Sequence, residues 1–232
     1  MTRSAASRRF HEELDLLQAR LMKMSGLAED LVERAVDAFL DRDPEARVAI
    51  SADDEVIDAL ELEIDEEVLR LIALHQPVAS DLRQVLTTMM ICTDVERVGD
   101  HAVNIAKAAQ RVAVLPPLPE IPEMAELAVL SRRMLRDALA AYGSRNSGLA
   151  RQVCARDDRV DDMRKTVRKL LTDLMARDPG RIGPSLEYLR VSQQLERIGD
   201  LSTNISENVV FLVEGHSIKH HAERAETEEA SD

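Results

Sequence analysis

Aromatic residues are nearly absent from this 232-residue chain, which contains no tryptophan, two tyrosines and three phenylalanines. Proteins that bind single-stranded nucleic acids stack the bases on aromatic rings, and those that bind phosphate backbones cluster lysine and arginine. Here 43 acidic residues outnumber 30 basic ones, which gives a formal charge of −13. The composition therefore argues against a nucleic-acid partner. Strands are also disfavoured, because most of the common residues are good helix formers, so an all-α protein is predicted.

Cysteines and long apolar runs are scarce as well. Cys92 and Cys154 are far apart in segments with a helical pattern. They predict neither a disulfide framework nor a thiolate zinc site, and we interpret both as small buried hydrophobes. No stretch approaches the ~18 consecutive apolar residues of a membrane span, and no apolar run follows the basic residues near the N-terminus. We therefore expect a cytoplasmic protein that meets a membrane only through its partners.

Prolines and glycines are few, and most of them cluster at a small number of places that divide the chain. Four prolines fall within residues 116–122, and loops are predicted at 143–148 and 179–184. Pro44 and Pro77 mark two further breaks. The five breaks leave six segments whose apolar residues recur at spacings of three and four, which predicts six long helices. The predicted domains are residues 1–115, a linker at 116–122, residues 123–215, and a polar, disordered tail at 216–232.

The sequence also contains an internal repeat. The sequence Glu-Arg-Val-Gly-Asp at 96–100 returns as Glu-Arg-Ile-Gly-Asp at 196–200, displaced by 100 residues. Earlier in each half, residues 53–58 align with residues 157–162, displaced by 104. The chain is therefore predicted to be two tandem copies of a three-helix unit, each an antiparallel up-down-up bundle.

Each copy contains two acidic pairs at a spacing of four residues, which places both members on one helix face. Like charges at this spacing destabilise an isolated helix, and a bound cation would compensate them. Carboxylate oxygens without histidine or cysteine form a hard ligand set suited to Mg, Mn, Ca or ferric iron. Two asparagines continue these faces one turn further and are candidate additional ligands or supporting partners. The pairs are Asp54/Asp58, Glu96/Asp100, Asp158/Asp162 and Glu196/Asp200, and the asparagines are Asn104 and Asn204.

A solvated acidic surface is the alternative explanation for these pairs. Residues 53–67 include nine acids and no base, as such a surface would. In the aligned residues 157–171, four acids meet five bases, yet the Asp-x-x-x-Asp spacing persists. That persistence favours a metal site, while a metal-free helical scaffold stays open. Gly99 and Gly199 lie beside these acids at equivalent places in the two copies. A glycine within a helix costs ~1 kcal/mol relative to alanine, so its occurrence at both places indicates that another helix or a ligand approaches the backbone closely there.

The motifs resemble those of a known bacterial family, the PhoU phosphate-uptake regulators. The resemblance rests on residues 74–83 (Leu-His-Gln-Pro-Val-Ala-Ser-Asp-Leu-Arg), on residues 94–106 around Glu96 to Asp100, and on residues 194–215 in the second copy. It covers roughly residues 8–220. It implies two three-helix bundles related by pseudo-twofold symmetry. It also implies multinuclear metal clusters, of iron, zinc, manganese or magnesium, on the eight acids selected by the repeat.

The same resemblance implies a regulatory role without catalytic residues. Family members restrain the phosphate ABC transporter when phosphate is plentiful and keep a phosphate-sensing histidine kinase in its signalling-off state. The implied partners are the ATPase subunit of that transporter, the kinase, and a second copy of the chain in a homodimer. A ferritin-like di-metal oxidoreductase is the rival from another class, but no glutamate is followed three residues later by histidine, as di-iron bundles require.

Overall fold

The computed structural model describes residues 2–219, with side chains from residue 8 onward. Most of the predicted tail, residues 220–232, lies outside the described residues. Within the described part the chain is helical and contains no strand. The elements are α1 (Thr2–Asp41), α2 (Ala46–His75), α3 (Ala79–Ala113), α4 (Pro122–Ser144), α5 (Ser147–Cys154), α6 (Asp157–Arg177) and α7 (Ile182–Glu214), with a 3-10 turn at Pro179–Arg181 before α7.

The six predicted long helices are confirmed, but the segment predicted as one helix over 148–177 is two. The short helix α5 ends at Cys154, and α6 begins at Asp157. Both intervening residues, Ala155 and Arg156, have helical φ with ψ of −4° and −6°. No proline or glycine marks this break, because the backbone needs only a tightened turn that any residue adopts.

The helices form two bundles whose apolar stripes face inward. Helices α1, α2 and α3 pack together as the first bundle, and α4, α5, α6 and α7 form the second. Residues of the α1 stripe such as Leu17, Leu21 and Met24 are fully buried, as their spacing of three and four predicts. The bundles join mainly through α3 and α7, with a smaller contact between α1 and α4.

The pseudo-twofold relation is visible in paired contacts between the bundles. Arg42 after α1 and Arg145 after α4 both adopt the left-handed conformation, with φ of 58° and 50°. The Phe39 ring lies 4.7 Å from that of Tyr188 on α7, and the Tyr142 hydroxyl lies 3.1 Å from Thr88 Oγ1 on α3. Helix α1 therefore corresponds to α4 at a displacement of 103 residues, and α3 corresponds to α7 at 100.

Several polar contacts join α3 to α7, including a hydrogen bond from Arg83 Nε to the carbonyl oxygen of Leu212 at 3.2 Å. Arg111 Nε donates to Glu187 Oε2 at 2.6 Å. The His101 ring lies 2.8 Å from Gln194 Oε1, and Asn208 Nδ2 lies 3.5 Å from Asp94 Oδ2. These contacts orient α3 against α7, and the two helices that carry the repeated Glu-Arg-x-Gly-Asp motif therefore form the centre of the molecule.

None of the helices between residues 2 and 219 combines the length and the apolar character that crossing a membrane requires.

Candidate metal centres on the acidic helix faces

The glycines of the repeated motif fix the correspondence between the two acidic faces. A Cβ atom at Gly99 would lie 2.5 Å from Asp54 Oδ1 and 3.3 Å from Ile57, so α2 crosses α3 at this point. A Cβ atom at Gly199 would lie 3.3 Å from Val160 on α6. Ile57 and Val160 are therefore equivalent, and the displacement between α2 and α6 is 103 residues.

An ion pair with exchanged charges gives the same displacement. Arg34 on α1 donates to Asp53 on α2 at 2.6 Å. In the second bundle, Arg156 immediately before α6 donates to Asp137 on α4. Residues 34 and 137, and residues 53 and 156, are each 103 apart, so the same contact is made with the charges reversed. The displacement of 104 predicted from the sequence is therefore wrong by one residue.

With a displacement of 103, the predicted pair Asp158 and Asp162 does not align with Asp54 and Asp58 and does not lie on the inner face. Both are exposed; Asp162 has 75% of its side chain accessible to solvent and accepts a hydrogen bond from Lys165 at 2.8 Å. The half-buried neighbours Asp157 and Asp161 occupy the positions of Asp54 and Asp58 instead. Because one residue turns a helix by about 100°, a one-residue error in alignment selects a different face.

In the first repeat, the predicted acids are brought together. The pKa of Glu96 is raised to about 7, first by burial and then by the negative charges of four nearby acids, Asp100, Glu61, Asp58 and Asp54. Glu61 was not selected from the sequence, although it lies one turn beyond Asp58 on the same face of α2. Its own pKa is raised by burial and by nearby acids. The first face is therefore a set of carboxylates that repel one another.

Asp54 lies at the closest approach of α2 to α3. Burial, followed by the charges of Asp58 and Asp100, raises its pKa to about 6, although Lys107 acts in the opposite direction. Within the described residues, the buried oxygens Asp54 Oδ1 and Asp65 Oδ1 have no hydrogen-bond partner. Buried, unpaired carboxylate oxygens are costly, and a hard cation would satisfy them.

The first face therefore has suitable donor chemistry for a metal ion, but its side chains are not arranged as a finished coordination shell. In the part of the chain that the structure describes, no three histidine, cysteine, aspartate or glutamate groups are grouped closely enough to hold a metal. Asp58 and Asp100 are exposed. A metal ion held here would require these side chains to turn inward.

The second face has basic and hydroxyl partners built into it. Arg164 on α6 lies 3.6 Å from Glu196, and Arg197 lies 3.9 Å from Glu196 and 3.4 Å from Asp200. The Thr203 hydroxyl donates to Asp157 Oδ1 at 3.0 Å. These contacts partly compensate the acids of α7, so the second donor set differs from the first in charge.

Burial still affects the second face. The pKa of Asp200 is raised to about 6 by burial and then by Glu196, while Arg197 opposes the rise. Glu196 Oε2 has no hydrogen-bond partner among the described residues. The two asparagines lie one turn beyond the motif acids, Asn104 exposed and Asn204 half-buried. A ligand role for either remains a prediction.

The fold and these faces define a class of protein: an all-α tandem repeat in which two helical bundles present equivalent faces that carry acidic motifs. A family model described as PhoU domain matches it twice, at residues 21–109 and 124–209. The chain belongs to the PhoU family. It is similar to the "Phosphate-specific transport system accessory protein PhoU homolog" of Clostridium acetobutylicum, with 37% identity over 90% of this chain and 96% of that protein.

Another relative and two solved structures show the same similarity to the PhoU family. The PhoU homolog of Xylella fastidiosa is 36% identical over 90% of this chain and 87% of its own length. The crystal structure of PhoU from Pseudomonas aeruginosa superposes with a TM-score of 0.86 at 34% identity, covering 89% of this chain and 100% of that one. The phosphate transport system regulatory protein PhoU from Streptococcus pneumoniae gives 0.84 at 29% identity, over 90% and 99%.

Proposed function

We propose that this protein is an accessory regulator of a phosphate-specific transport system. The observation that carries the proposal is the similarity along nearly the whole chain to relatives named for that role, at 37% identity for the Clostridium acetobutylicum protein. The fold supports it, since the Pseudomonas aeruginosa PhoU structure superposes with a TM-score of 0.86. The proposed role is one of binding, without catalysis.

The proposed partners are the cytoplasmic ATPase subunit of the phosphate ABC transporter and a phosphate-sensing histidine kinase. In this proposal the protein restrains uptake and holds the kinase in its signalling-off state when phosphate is plentiful. It acts in the cytoplasm as a homodimer. Support comes from the family resemblance and from an outer surface rich in charge, which suits reversible association better than permanent burial.

A metal ion on the first acidic face is also part of the proposal. Asp54, Asp58, Glu96 and Asp100 would hold it, with Glu61 as a further donor. The cation would supply positive charge that offsets the repulsion between these carboxylates and would fasten α2 to α3. The support is the raised pKa of Glu96 and the buried, unpaired Asp54 Oδ1.

The regulatory role is tested by affinity capture from cells grown in high phosphate. The tagged protein is expected to recover the transporter ATPase and the kinase. Recovery of neither would contradict the proposed role. Deletion of the gene is expected to leave phosphate-starvation genes active in high phosphate, and restoration of the chain is the control.

Metal binding is tested separately, by elemental analysis of the dialysed protein and of the quadruple variant Glu96→Ala, Asp100→Ala, Glu196→Ala, Asp200→Ala. Metal in the native protein and its loss from the variant are expected. Equal and negligible metal in both would favour the metal-free scaffold, which is consistent with the unfinished coordination geometry. Oxygen consumption by iron-loaded protein would instead support the di-metal oxidoreductase.

A further inference from the structure

The two acidic faces are equivalent in backbone but not in chemistry, and two of the positions that differ contact or face the motif acids. On α2, Glu61 is half-buried one turn beyond Asp58, on the face that meets α3, and its negative charge acts on Glu96. At the equivalent position on α6, 103 residues later, Arg164 lies 3.6 Å from Glu196. A carboxylate that repels the motif glutamate in the first repeat is thus replaced by a guanidinium that attracts it in the second.

The second position lies on the third helix of each repeat. Thr203 on α7 donates its hydroxyl to Asp157 Oδ1 at 3.0 Å. The equivalent residue on α3, 100 residues earlier, is Val103, which has no polar atom in its side chain to donate. Asp54, the equivalent of Asp157, accordingly keeps a buried oxygen without a hydrogen-bond partner among the described residues.

Further along the face, the charges of α2 and α6 also differ. Asp65 on α2 corresponds to Arg168 on α6, and residues 157–171 contain five bases where residues 53–67 contain none. Both repeats have an arginine inside the motif, Arg97 and Arg197, and Arg197 lies 3.4 Å from Asp200. A divalent cation brought to the second face would be repelled by Arg164, which lies 3.6 Å from Glu196, and repulsion between cations in a half-buried site is strong.

We propose that the two repeats divide these roles: only the α2–α3 face binds a metal ion, and on the α6–α7 face Arg164 and Thr203 take the place of the metal. The protein is then asymmetric in its response to metal. Loading with metal stiffens the first bundle, while the second bundle is held closed by its own side chains at all metal concentrations. The metal half of this inference rests on the metal site proposed above.

Metal content tests the division directly. Full-length protein is stripped with chelator, loaded with manganese(II), desalted and analysed for manganese per chain. The first-repeat variant Glu96→Gln/Asp100→Asn is expected to lose essentially all of it, and the matched second-repeat variant Glu196→Gln/Asp200→Asn to lose none. Equal partial losses in the two variants would overturn the division while leaving the proposed metal site intact.

A conversion variant tests the same idea by gain of binding. Arg164→Glu with Thr203→Val gives the second face the residues of the first at both positions. It is expected to bind additional manganese relative to the native protein. Circular dichroism verifies that it is helical before loading. Unchanged manganese in a helical conversion variant would contradict the role given to Arg164 and Thr203.

A third test measures the thermal stability of the metal-free protein, so its result does not depend on the proposed metal site. In excess chelator, Arg164→Gln is expected to lower Tm by about 2–4 °C, because it removes the partner of Glu196. Glu61→Gln at the equivalent position is expected to raise Tm, because it removes a repulsive charge. Shifts of the same sign would overturn the inference. If the native protein binds no manganese, the metal half fails together with the proposed site, and these shifts alone decide the role of Arg164.

Discussion

At the scale of single residues, the glycine of the repeated motif has a specific task in only one of its two copies. At Gly99 a side chain would collide with the Asp54 carboxylate, at 2.5 Å, whereas at Gly199 it would meet only the methyl groups of Val160, at 3.3 Å. The glycine of the motif thus leaves room for the side chain of a candidate ligand, Asp54, in the first repeat and for the apolar side chain of Val160 in the second. Sequence comparison alone makes these two glycines look identical.

Replacing each glycine by alanine separates the two tasks. Gly99→Ala is expected to displace the Asp54 carboxylate and weaken manganese binding by about 10-fold or more, a typical cost for disturbing the surroundings of a metal ligand. Gly199→Ala is the matched control and is expected to leave binding unchanged. Isothermal titration with manganese(II) gives both affinities. Equal weakening in the two variants would contradict this assignment.

Asp94 is a second residue whose surroundings predict a measurable effect. It is 9% exposed at the contact of α3 with α7, and its pKa is raised to about 6, mainly by burial, with Lys219 and Arg97 opposing the rise. A carboxyl group with a raised pKa in the folded state carries no penalty when it is protonated in both states. The penalty grows as pH rises from the unfolded value of 3.8 through about 6.

Asp94→Asn is therefore expected to stabilise the protein at about pH 8 and to have little effect at about pH 4. One pKa unit corresponds to about 1.4 kcal/mol and the side chain retains some contact with water, so we expect a gain of about 1–2 kcal/mol at the higher pH. Urea unfolding at both pH values measures it. The exposed Asp15→Asn is the control. A gain for Asp94→Asn at about pH 4 as large as at about pH 8 would show that burial of charge is not the cause.

At the scale of elements, the second helix of the second repeat is divided, while that of the first is continuous. Helix α5 is only eight residues long, too short to be stable alone, and it depends on its cap and on its packing against α7. Asn146 supplies the cap, since its Oδ1 accepts a hydrogen bond from the Leu149 amide at 3.0 Å. Helix α2 has no side-chain cap of this kind at Glu45.

Asn146→Ala is expected to destabilise the protein by about 1 kcal/mol, the usual cost of losing a helix cap. For a chain of this size the loss corresponds to a Tm lower by about 2–4 °C. Calorimetry measures the shift. Asn146→Asp keeps an acceptor at the same place and is expected to unfold close to the native temperature. An equal loss in the aspartate variant would rule out capping as the reason.

At the scale of the whole molecule, the two bundles meet through a charged contact as well as an apolar one. Glu187 on α7 has 9% of its side chain exposed and pairs with Arg111 on α3 and with Arg190 on its own helix, at 2.6 and 2.8 Å. The Arg111 contact crosses between bundles, whereas the Arg190 contact stays within α7. We therefore expect the Arg111–Glu187 pair to couple the two repeats when the protein unfolds.

Arg111→Met is expected to cost about 1–2 kcal/mol, since it leaves the buried Glu187 with one partner instead of two. Arg190→Met is the matched control and is expected to cost less, because Arg190 is 60% exposed and lies on the same helix. Chemical unfolding of both variants gives the values. A larger cost for Arg190→Met, or two separate transitions in the native protein, would contradict coupling through Arg111.

Much of this architecture followed from the sequence. The apolar spacing of α1 and the clustered prolines predicted six long helices, and the repeated motif predicted two bundles, because helical periodicity and chain breaks are local properties. The structure places Asp54 and Asp58 of α2 close enough to Glu96 and Asp100 of α3 for their charges to act on one another. What they bind stays a prediction.

Only the tertiary structure decided which acids of α6 face α7. Two adjacent aspartate pairs, 157/161 and 158/162, have identical spacing, and local sequence cannot rank them. The crossing of Val160 over Gly199 ranks them, since it turns Asp157 and Asp161 inward and leaves Asp158 and Asp162 in solvent. The scarcity of aromatic residues and the excess of acidic ones were enough to predict an acidic, all-α protein. The placement of Arg164 beside Glu196 came from packing between helices, which depends on the register of distant segments.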